Sequence, residues 1–117
     1  GVQTCALPIY KGMLVENIVA QMLRASGHNL YFFSSYSKTD ADERIEIDFL
    51  IPKPVISNRH NIHPIEVKSS SRYSLTSLNR FIAKYQSAIA EPIVIHTSDL
   101  KVEDGKLFLP LYMTELI

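Results

Sequence analysis

The stretch His63-Pro64-Ile65-Glu66-Val67-Lys68 constrains the fold more than any other part of the chain. Its apolar and β-branched content predicts a β-strand, and side chains two residues apart on a strand share a face. Glu66 and Lys68 therefore project together, while Ile65 and Val67 point the other way. A carboxylate beside an ammonium on an otherwise apolar strand indicates half of a functional site.

The apolar periodicity of the chain predicts an α/β fold in the order helix, strand, strand, strand, helix, strand, followed by a C-terminal hairpin. The predicted bounds are a helix at 13–26 closed by Gly27, strands at 29–36, 44–51 and 62–69, a helix at about 75–90 with Ser74 as N-cap, a strand at 93–96, and a hairpin turning at Asp104-Gly105. A polar turn at 37–42 makes the first two strands an antiparallel hairpin, and 52–61 is predicted to be a loop. A right-handed crossover places strand 93–96 parallel to the Glu66 strand, so the central sheet is mixed.

Two further carboxylates are candidates for the Glu66 site. Strand 44–51 alternates, with Ile45, Ile47, Phe49 and Ile51 predicted on one face and Arg44, Glu46, Asp48 and Leu50 on the other. Aspartate is disfavoured in strands, which makes Asp48 unusual beside the strand that carries Glu66 and Lys68. Glu16 lies about 200° around the first helix from Leu14, at the edge of its apolar stripe. Taken alone, each has an ordinary interpretation, as a solvent-facing aspartate and as a first-turn glutamate favoured by the helix dipole.

Together these residues suit phosphodiester hydrolysis. The reaction needs the charge on the phosphoryl oxygens offset and a water deprotonated near neutral pH, and a carboxylate-bound Mg²⁺ ion does both. Mg²⁺ needs only one or two protein carboxylates, for which Asp48 and Glu66 are the candidates. Lys68 would orient the attacking water or stabilise the developing negative charge. Glu16 would complete the outer shell of the ion or bind a second one.

Asp48 followed by Glu66-Val67-Lys68, in this order of helices and strands, resembles the PD-(D/E)XK superfamily of restriction-endonuclease-like nucleases. An acidic residue on the first helix, here Glu16, is also matched in several branches of that superfamily. The Pro-Asp pair of the superfamily name is absent, and Ile47-Asp48-Phe49 stands in its place. The resemblance implies a restriction-endonuclease-like core with Glu16, Asp48, Glu66 and Lys68 as catalytic residues and Mg²⁺ or Mn²⁺ as cofactor.

A closer resemblance, over about residues 11–113, is to domain-of-unknown-function family 4143. It is carried by the segments 12–20 (GMLVENIVA), 30–32 (LYF), 46–51 (EIDFLI), 64–69 (PIEVKS), 77–78 (SL) and 109–113 (LPLYM). The resemblance implies the nuclease-like C-terminal part of a prokaryotic AAA+ ATPase, with DNA as the partner molecule. The chain has no G-x-x-x-x-G-K-[ST] motif, so ATP would bind only through a missing upstream domain.

Composition and charge restrict the type of DNA contact, the cellular compartment and the membrane topology that the chain can have. The formal net charge is +0, so any DNA contact would come from a local basic patch rather than from a field of the whole protein. Cys5 is the single cysteine, which excludes an internal disulfide and fits a reducing, cytoplasmic compartment. The chain shows no apolar run of about 20 residues, so no membrane span is predicted.

Residues 1–9 lack helix or strand periodicity and resemble the translation of a sequencing-adaptor oligonucleotide. We interpret them as an assembly artefact, the alternative being a disordered tail, and residues 10–117 as one domain truncated from a longer ATPase. Two functional hypotheses remain open: a metal-dependent DNA nuclease, and a catalytically inactive nuclease-fold module that binds or regulates. His96, at the end of strand 93–96, is predicted to be a structural residue rather than a ligand.

Overall fold

The computed structural model describes residues 7–36, 39, 44–52 and 61–117, with side chains described from residue 11 onward. Its elements are α1 (Leu7–Ala25), β1 (Tyr31–Ser35), β2 (Ile45–Pro52), β3 (Ile62–Val67), α2 (Thr76–Lys84), β4 (Ile93–His96), β5 (Lys101–Glu103), β6 (Lys106–Pro110) and the 3₁₀ helix η1 (Leu111–Leu116). The predicted order of helices and strands is confirmed, and the fold is α/β.

The six strands form one mixed sheet in the order β1-β2-β3-β4-β6-β5. The pairs β1–β2, β2–β3 and β5–β6 are antiparallel, which confirms the predicted hairpin between the first two strands and the C-terminal hairpin. The pairs β3–β4 and β4–β6 are parallel, so the predicted parallel pairing of the Glu66 strand with strand 93–96 is also confirmed. Asp104 and Gly105 turn the C-terminal hairpin, both with positive φ.

Each face of the sheet is covered by its own apolar cluster. The cluster on the α1 face contains Val19, Leu23, Phe49, Ile51, Ile65, Ile93, Ile95 and Leu109, with residues of η1 packed against it. The cluster on the α2 face contains Ile45, Ile47, Leu78, Phe81, Ile89, Val94 and Phe108. Ile65 and the partly buried Val67 both belong to the α1 side, as their predicted orientation away from Glu66 requires.

The prediction that the four apolar residues of β2 share one face is wrong. Ile45 and Ile47 pack on the α2 face, whereas Phe49 and Ile51 pack on the α1 face. The reason lies in the β1–β2 ladder, which pairs Phe33 with Ile47 but Tyr31 with Leu50. Between these pairs β1 advances by two residues and β2 by three, so β2 carries a β-bulge that reverses its alternation. Asp48 lies at this reversal.

Helix α1 begins at Leu7, six residues before the predicted start at Met13. Pro8 falls in its first turn, where proline is tolerated because the backbone N–H groups there have no helical acceptor. Gly27, with φ of 92°, caps the C-terminal end of the helix as predicted. The N–H of Gly27 bonds to the carbonyl of Arg24 and that of His28 to the carbonyl of Leu23, which is the Schellman arrangement. Of the predicted apolar stripe, Leu14 is 60% exposed and Ile18 is 39% exposed.

Helix α2 is shorter than predicted, and its N-cap is Leu75, without a side-chain cap, rather than Ser74. Ser74 instead accepts a hydrogen bond from the N–H of Thr76 through its hydroxyl. The helix ends early because the next residues join the sheet: the N–H of Ala90 bonds to the carbonyl of Ile62, beside an isolated bridge between Ile62 and Ile89. The predicted apolar stripe of this helix does pack on the sheet.

Some predictions fall on residues outside the described ranges. They are residues 1–6 of the predicted artefact or tail at 1–9, with Cys5, most of the turn at 37–42 and the interior of the loop at 52–61. Among the helices that the structure describes, none is long and apolar enough to cross a membrane.

Candidate functional site

The candidate site lies where strands β2 and β3 stop pairing. Their ladder runs from Pro52–Ile62 to Phe49–Ile65. At the next position, Asp48 and Glu66 face each other, and their carboxylates take over the hydrogen bonds. The N–H of Val67 donates to Asp48 Oδ2 at 2.8 Å, and the N–H of Asp48 donates to Glu66 Oε1 at 3.3 Å. Asp48 and Glu66, which are 18 residues apart in the sequence, are thus joined by a hydrogen bond.

Lys68 lies beside this carboxylate pair. Its Nζ is 3.1 Å from Glu66 Oε2, with side-chain exposures of 23% for Lys68 and 6% for Glu66. The backbone of Lys68 is fixed as well, because its N–H donates to the carbonyl of Ile95 and continues the β3–β4 ladder by one residue. The predicted projection of Glu66 and Lys68 to the same side is therefore confirmed.

Glu16 approaches the same site from helix α1. The helix passes close to the end of β3: a Cβ added to Gly12 would lie 3.7 Å from Ser69 Oγ. Glu16 is one turn further along and stays exposed. Partial desolvation and then the charge of Asp48 raise the pKa of Glu16 above its ordinary value, so the two carboxyl groups interact electrostatically.

The carboxyl groups of the site are held in an environment that disfavours their charge. Burial and then the charge of Asp48 raise the pKa of Glu66 to about 7, although Lys68 and the N–H of Asp48 act in the opposite direction. Burial likewise raises the pKa of Asp48, and the Val67 N–H and Lys68 offset part of that rise. One buried and one partly buried carboxylate that repel each other beside one ammonium leave a deficit of positive charge. A proton or a cation can supply it.

A cavity of about 290 Å³ opens at this point of the sheet. Its lining comprises Glu46, Asp48, Glu66, Val67 and Lys68 from the sheet and Ser74, Thr76 and Ser77 from the start of α2. Sequence reasoning did not identify the three hydroxyl residues as part of the site. The polar residues before α2 are visible in the sequence as a possible part of a site. No local pattern predicts that they contact β2, where Ser77 Oγ lies 3.4 Å from the backbone nitrogen of Glu46.

His96 is a structural residue, as predicted. It is 2% exposed, and both ring nitrogens have partners. Nε2 lies 2.9 Å from the carbonyl oxygen of Asp99, to which it can only donate, and Nδ1 forms a hydrogen bond of 3.2 Å with the hydroxyl of Tyr73. With both ring nitrogens bonded to protein groups, His96 could bind a metal only by losing a hydrogen bond.

The donor set of the site fits a hard cation that keeps much of its water. Within the described residues, no group of three or more His, Cys, Asp or Glu side chains is close enough to hold a metal ion. Asp48 and Glu66 form a group of two, which suits Mg²⁺ because this ion is commonly held by one or two carboxylates and several waters. A closed zinc site, which needs four protein ligands, does not fit.

A family model described as "Domain of unknown function (DUF4143)" matches residues 11–115 of the chain. No curated protein and no solved structure matches it. The matched range runs from α1 to η1, so it includes all four predicted site residues, Glu16, Asp48, Glu66 and Lys68.

Proposed function

The chain belongs to the DUF4143 family, and we propose that it is the nuclease-like C-terminal domain of a cytoplasmic AAA+ family ATPase. In this proposal the domain has a restriction-endonuclease-like arrangement and hydrolyses DNA phosphodiesters with Mg²⁺ or Mn²⁺. One observation carries it: where the β2–β3 ladder ends, the Asp48 carboxylate accepts from the N–H of Val67, the Glu66 carboxylate accepts from the N–H of Asp48, and Lys68 Nζ lies 3.1 Å from Glu66. ATP would bind in the upstream ATPase domain.

Asp48 and Glu66 would hold the metal ion, because their oxygens are the hard donors of the site and their charges are incompletely offset. When bound, the ion would offset charge on the phosphoryl oxygens and lower the pKa of a water. Glu16 adds negative charge on the α1 side and would bind through water in the outer shell. Each carboxylate is positioned by a backbone N–H or by a rigid element, which limits the reorganisation that catalysis requires.

Lys68 would stabilise negative charge on the phosphate as it develops. Its ammonium is a compact charge on a stem fixed at the end of β3, and 23% of its side chain remains exposed at the cavity. In the structure it neutralises Glu66. A metal ion on Glu66 would weaken that pairing, so that Lys68 could turn its ammonium toward the substrate.

The second candidate function is a catalytically inactive module that uses the same fold for binding or regulation. It is favoured by the ion pair itself: Glu66 already accepts from Lys68 and from the N–H of Asp48, and no third carboxylate joins the group within the described chain. A buried, internally bonded network of this kind can serve stability alone.

The deciding experiment measures cleavage of double- and single-stranded DNA by the full chain with Mg²⁺, Mn²⁺ or a chelator. We expect cleavage that depends on the metal and is lost in Glu66→Gln, Asp48→Asn and Lys68→Ala. Glu103→Gln is the matched control, because Glu103 is exposed on β5 at the far edge of the sheet.

The outcomes separate the two candidates. Cleavage that is equal in the wild type and the site variants would come from a contaminant and would refute the nuclease proposal. Absence of cleavage with either metal on every DNA form would favour the inactive module.

A further inference from the structure

Tyr36 is an exposed aromatic residue that is nevertheless held in place. Its side chain is 64% exposed, at the end of edge strand β1. Its hydroxyl donates to Glu46 Oε1, and the guanidinium carbon of Arg44 lies 4.8 Å from the centre of its ring. Arg44 in turn bonds to the same Glu46 oxygen at 2.7 Å. The ring is therefore bonded at its hydroxyl and covered by Arg44 on one side, while 64% of the side chain remains exposed.

This fixed ring borders the candidate site. Glu46, to which Tyr36 bonds, lines the same cavity as Asp48, Glu66 and Lys68. Glu46 also acts electrostatically on Asp48, two residues further along β2. Tyr36 is therefore not in the cavity lining but bonds to Glu46, which is. It lies on the side of the cavity where β1 and β2 form their hairpin.

Among the described residues at this border, charge is balanced rather than basic. Arg44 is paired with Glu46, and the whole chain has a formal net charge of +0. An exposed but fixed aromatic ring offers a contact that does not depend on net charge, since bases stack on aromatic side chains with about 1–3 kcal/mol each. Bases inside a duplex are already stacked on one another and cannot use such a ring.

We propose that Tyr36 is a stacking platform for a base of an unpaired DNA strand whose backbone enters the Asp48–Glu66 cavity. The inference rests on the proposed function and adds the substrate class: single-stranded or locally unpaired DNA rather than intact duplex. Arg44 holds the ring from behind, and Glu46 fixes its rotation, so the platform needs little ordering when the base binds.

Binding tests this independently of cleavage. The full chain, with Ca²⁺ in place of Mg²⁺ and Mn²⁺ to offset the charge of the two carboxylates, is titrated into fluorescein-labelled oligothymidine of about 12 nucleotides, a length within the usual site sizes, and into a duplex of equal length. We expect the single strand to bind more tightly than the duplex. Tyr36→Ala should weaken single-strand binding by at least about fivefold, the lower end of one stacked base, and leave duplex binding unchanged.

Two variants serve as controls for the role of the ring. Tyr36→Phe keeps the ring but not its hydroxyl, and should bind more tightly than Tyr36→Ala, because phenylalanine also serves as a stacking surface. Tyr112→Ala removes a tyrosine that is 75% exposed on η1, which follows β6, three strands away from β2 in the sheet, and should have no effect. Thermal unfolding of each variant checks that the fold is retained.

Three results overturn the inference: no binding of the single strand, tighter binding of the duplex, or equal single-strand affinity in Tyr36→Ala and the wild type. Metal-dependent cleavage with Tyr36-independent binding would remove this inference alone. Tyr36-dependent binding of the single strand without cleavage under any metal would instead remove the proposed nuclease activity alone.

Discussion

The two halves of the contact between β2 and β3 are built differently from the same pair of strands. In the paired half, from Phe49–Ile65 to Pro52–Ile62, backbone bonds form a regular antiparallel ladder, and Ile65 and Ile51 are buried in the α1 cluster. In the split half, the Asp48 and Glu66 carboxylates accept the backbone N–H groups instead, beside Lys68.

The paired half mainly stabilises the fold, whereas the split half supplies groups that can bind a ligand or react. The paired half buries apolar side chains and satisfies its polar groups with neutral partners, which favours folding. The split half also satisfies its backbone, but with carboxylates whose charge is disfavoured by burial and by each other. Sites of this kind commonly reduce stability and are retained because they bind or react. Substitutions in and around each half can test whether the two differ in this way.

The largest effect is expected in the paired half. Ile65→Ala removes a side chain with 0% exposure from the α1 cluster and should lower the free energy of unfolding by about 2–5 kcal/mol. Val67→Ala, on the same strand and face but half-buried in the split half, should cost less. Urea denaturation measures both, and equal losses would contradict the distinction between the halves.

Glu66→Gln should increase stability at alkaline pH. Because the pKa of Glu66 is raised from 4.5 to about 7 in the folded state, that state holds the proton to higher pH than the unfolded chain does. The stability linked to Glu66 is therefore complete below pH 4.5 and is lost as pH rises through 7. Each tenfold change in the acidity constant corresponds to about 1.4 kcal/mol, so the variant should gain on the order of 2–3 kcal/mol at about pH 8.

The comparison of Glu66→Gln with the wild type at about pH 4.5 and about pH 8 isolates this group, since the two proteins share every other titratable residue. Glu103→Gln, on an exposed strand, is the control and should show no such gain. A Glu66→Gln protein no more stable than the wild type at the higher pH would mean that Lys68 compensates the buried charge fully.

Asp48→Ala and Asp48→Asn together measure the carboxylate that replaces the ladder. Both remove the charge, but only asparagine keeps an acceptor for the N–H of Val67. Asp48→Ala should therefore be less stable than Asp48→Asn by about 1–3 kcal/mol, the cost of a buried donor without a partner. Equal unfolding free energies of the two variants would show that water can occupy the split between the strands.

Glu16→Gln should have the smallest effect on stability. Glu16 is exposed on α1, and surface substitutions usually change the free energy of unfolding by less than about 0.5 kcal/mol. Isothermal titration with Mg²⁺ should show weaker binding than in the wild type, but a smaller loss than in Glu66→Gln. A loss as large as that of Glu66→Gln would assign Glu16 to direct contact with the ion.

Local patterns were sufficient for much of the fold. Alternation placed Glu66 and Lys68 on one side of β3, Gly27 closed α1, and the strand–helix–strand order gave the parallel pairing of β3 with β4. The end of α2 was not predictable in the same way, because residues after Lys84 have a helical stripe, yet Ala88 and Ala90 bond to β3. A local period cannot reveal that a distant strand offers better partners.

The sequence by itself determined which residues carry the charges of the site and that Glu66 and Lys68 act from the same side of a strand, because period-two alternation is a property of the backbone. Only the tertiary structure decided how Asp48 meets Glu66. The reversal of β2 at Asp48 arises from its unequal pairing with β1, and the split from β3 brings Ser74, Thr76 and Ser77 to the same cavity. These features depend on competition among three strands and a helix for the same backbone groups, which no local pattern contains.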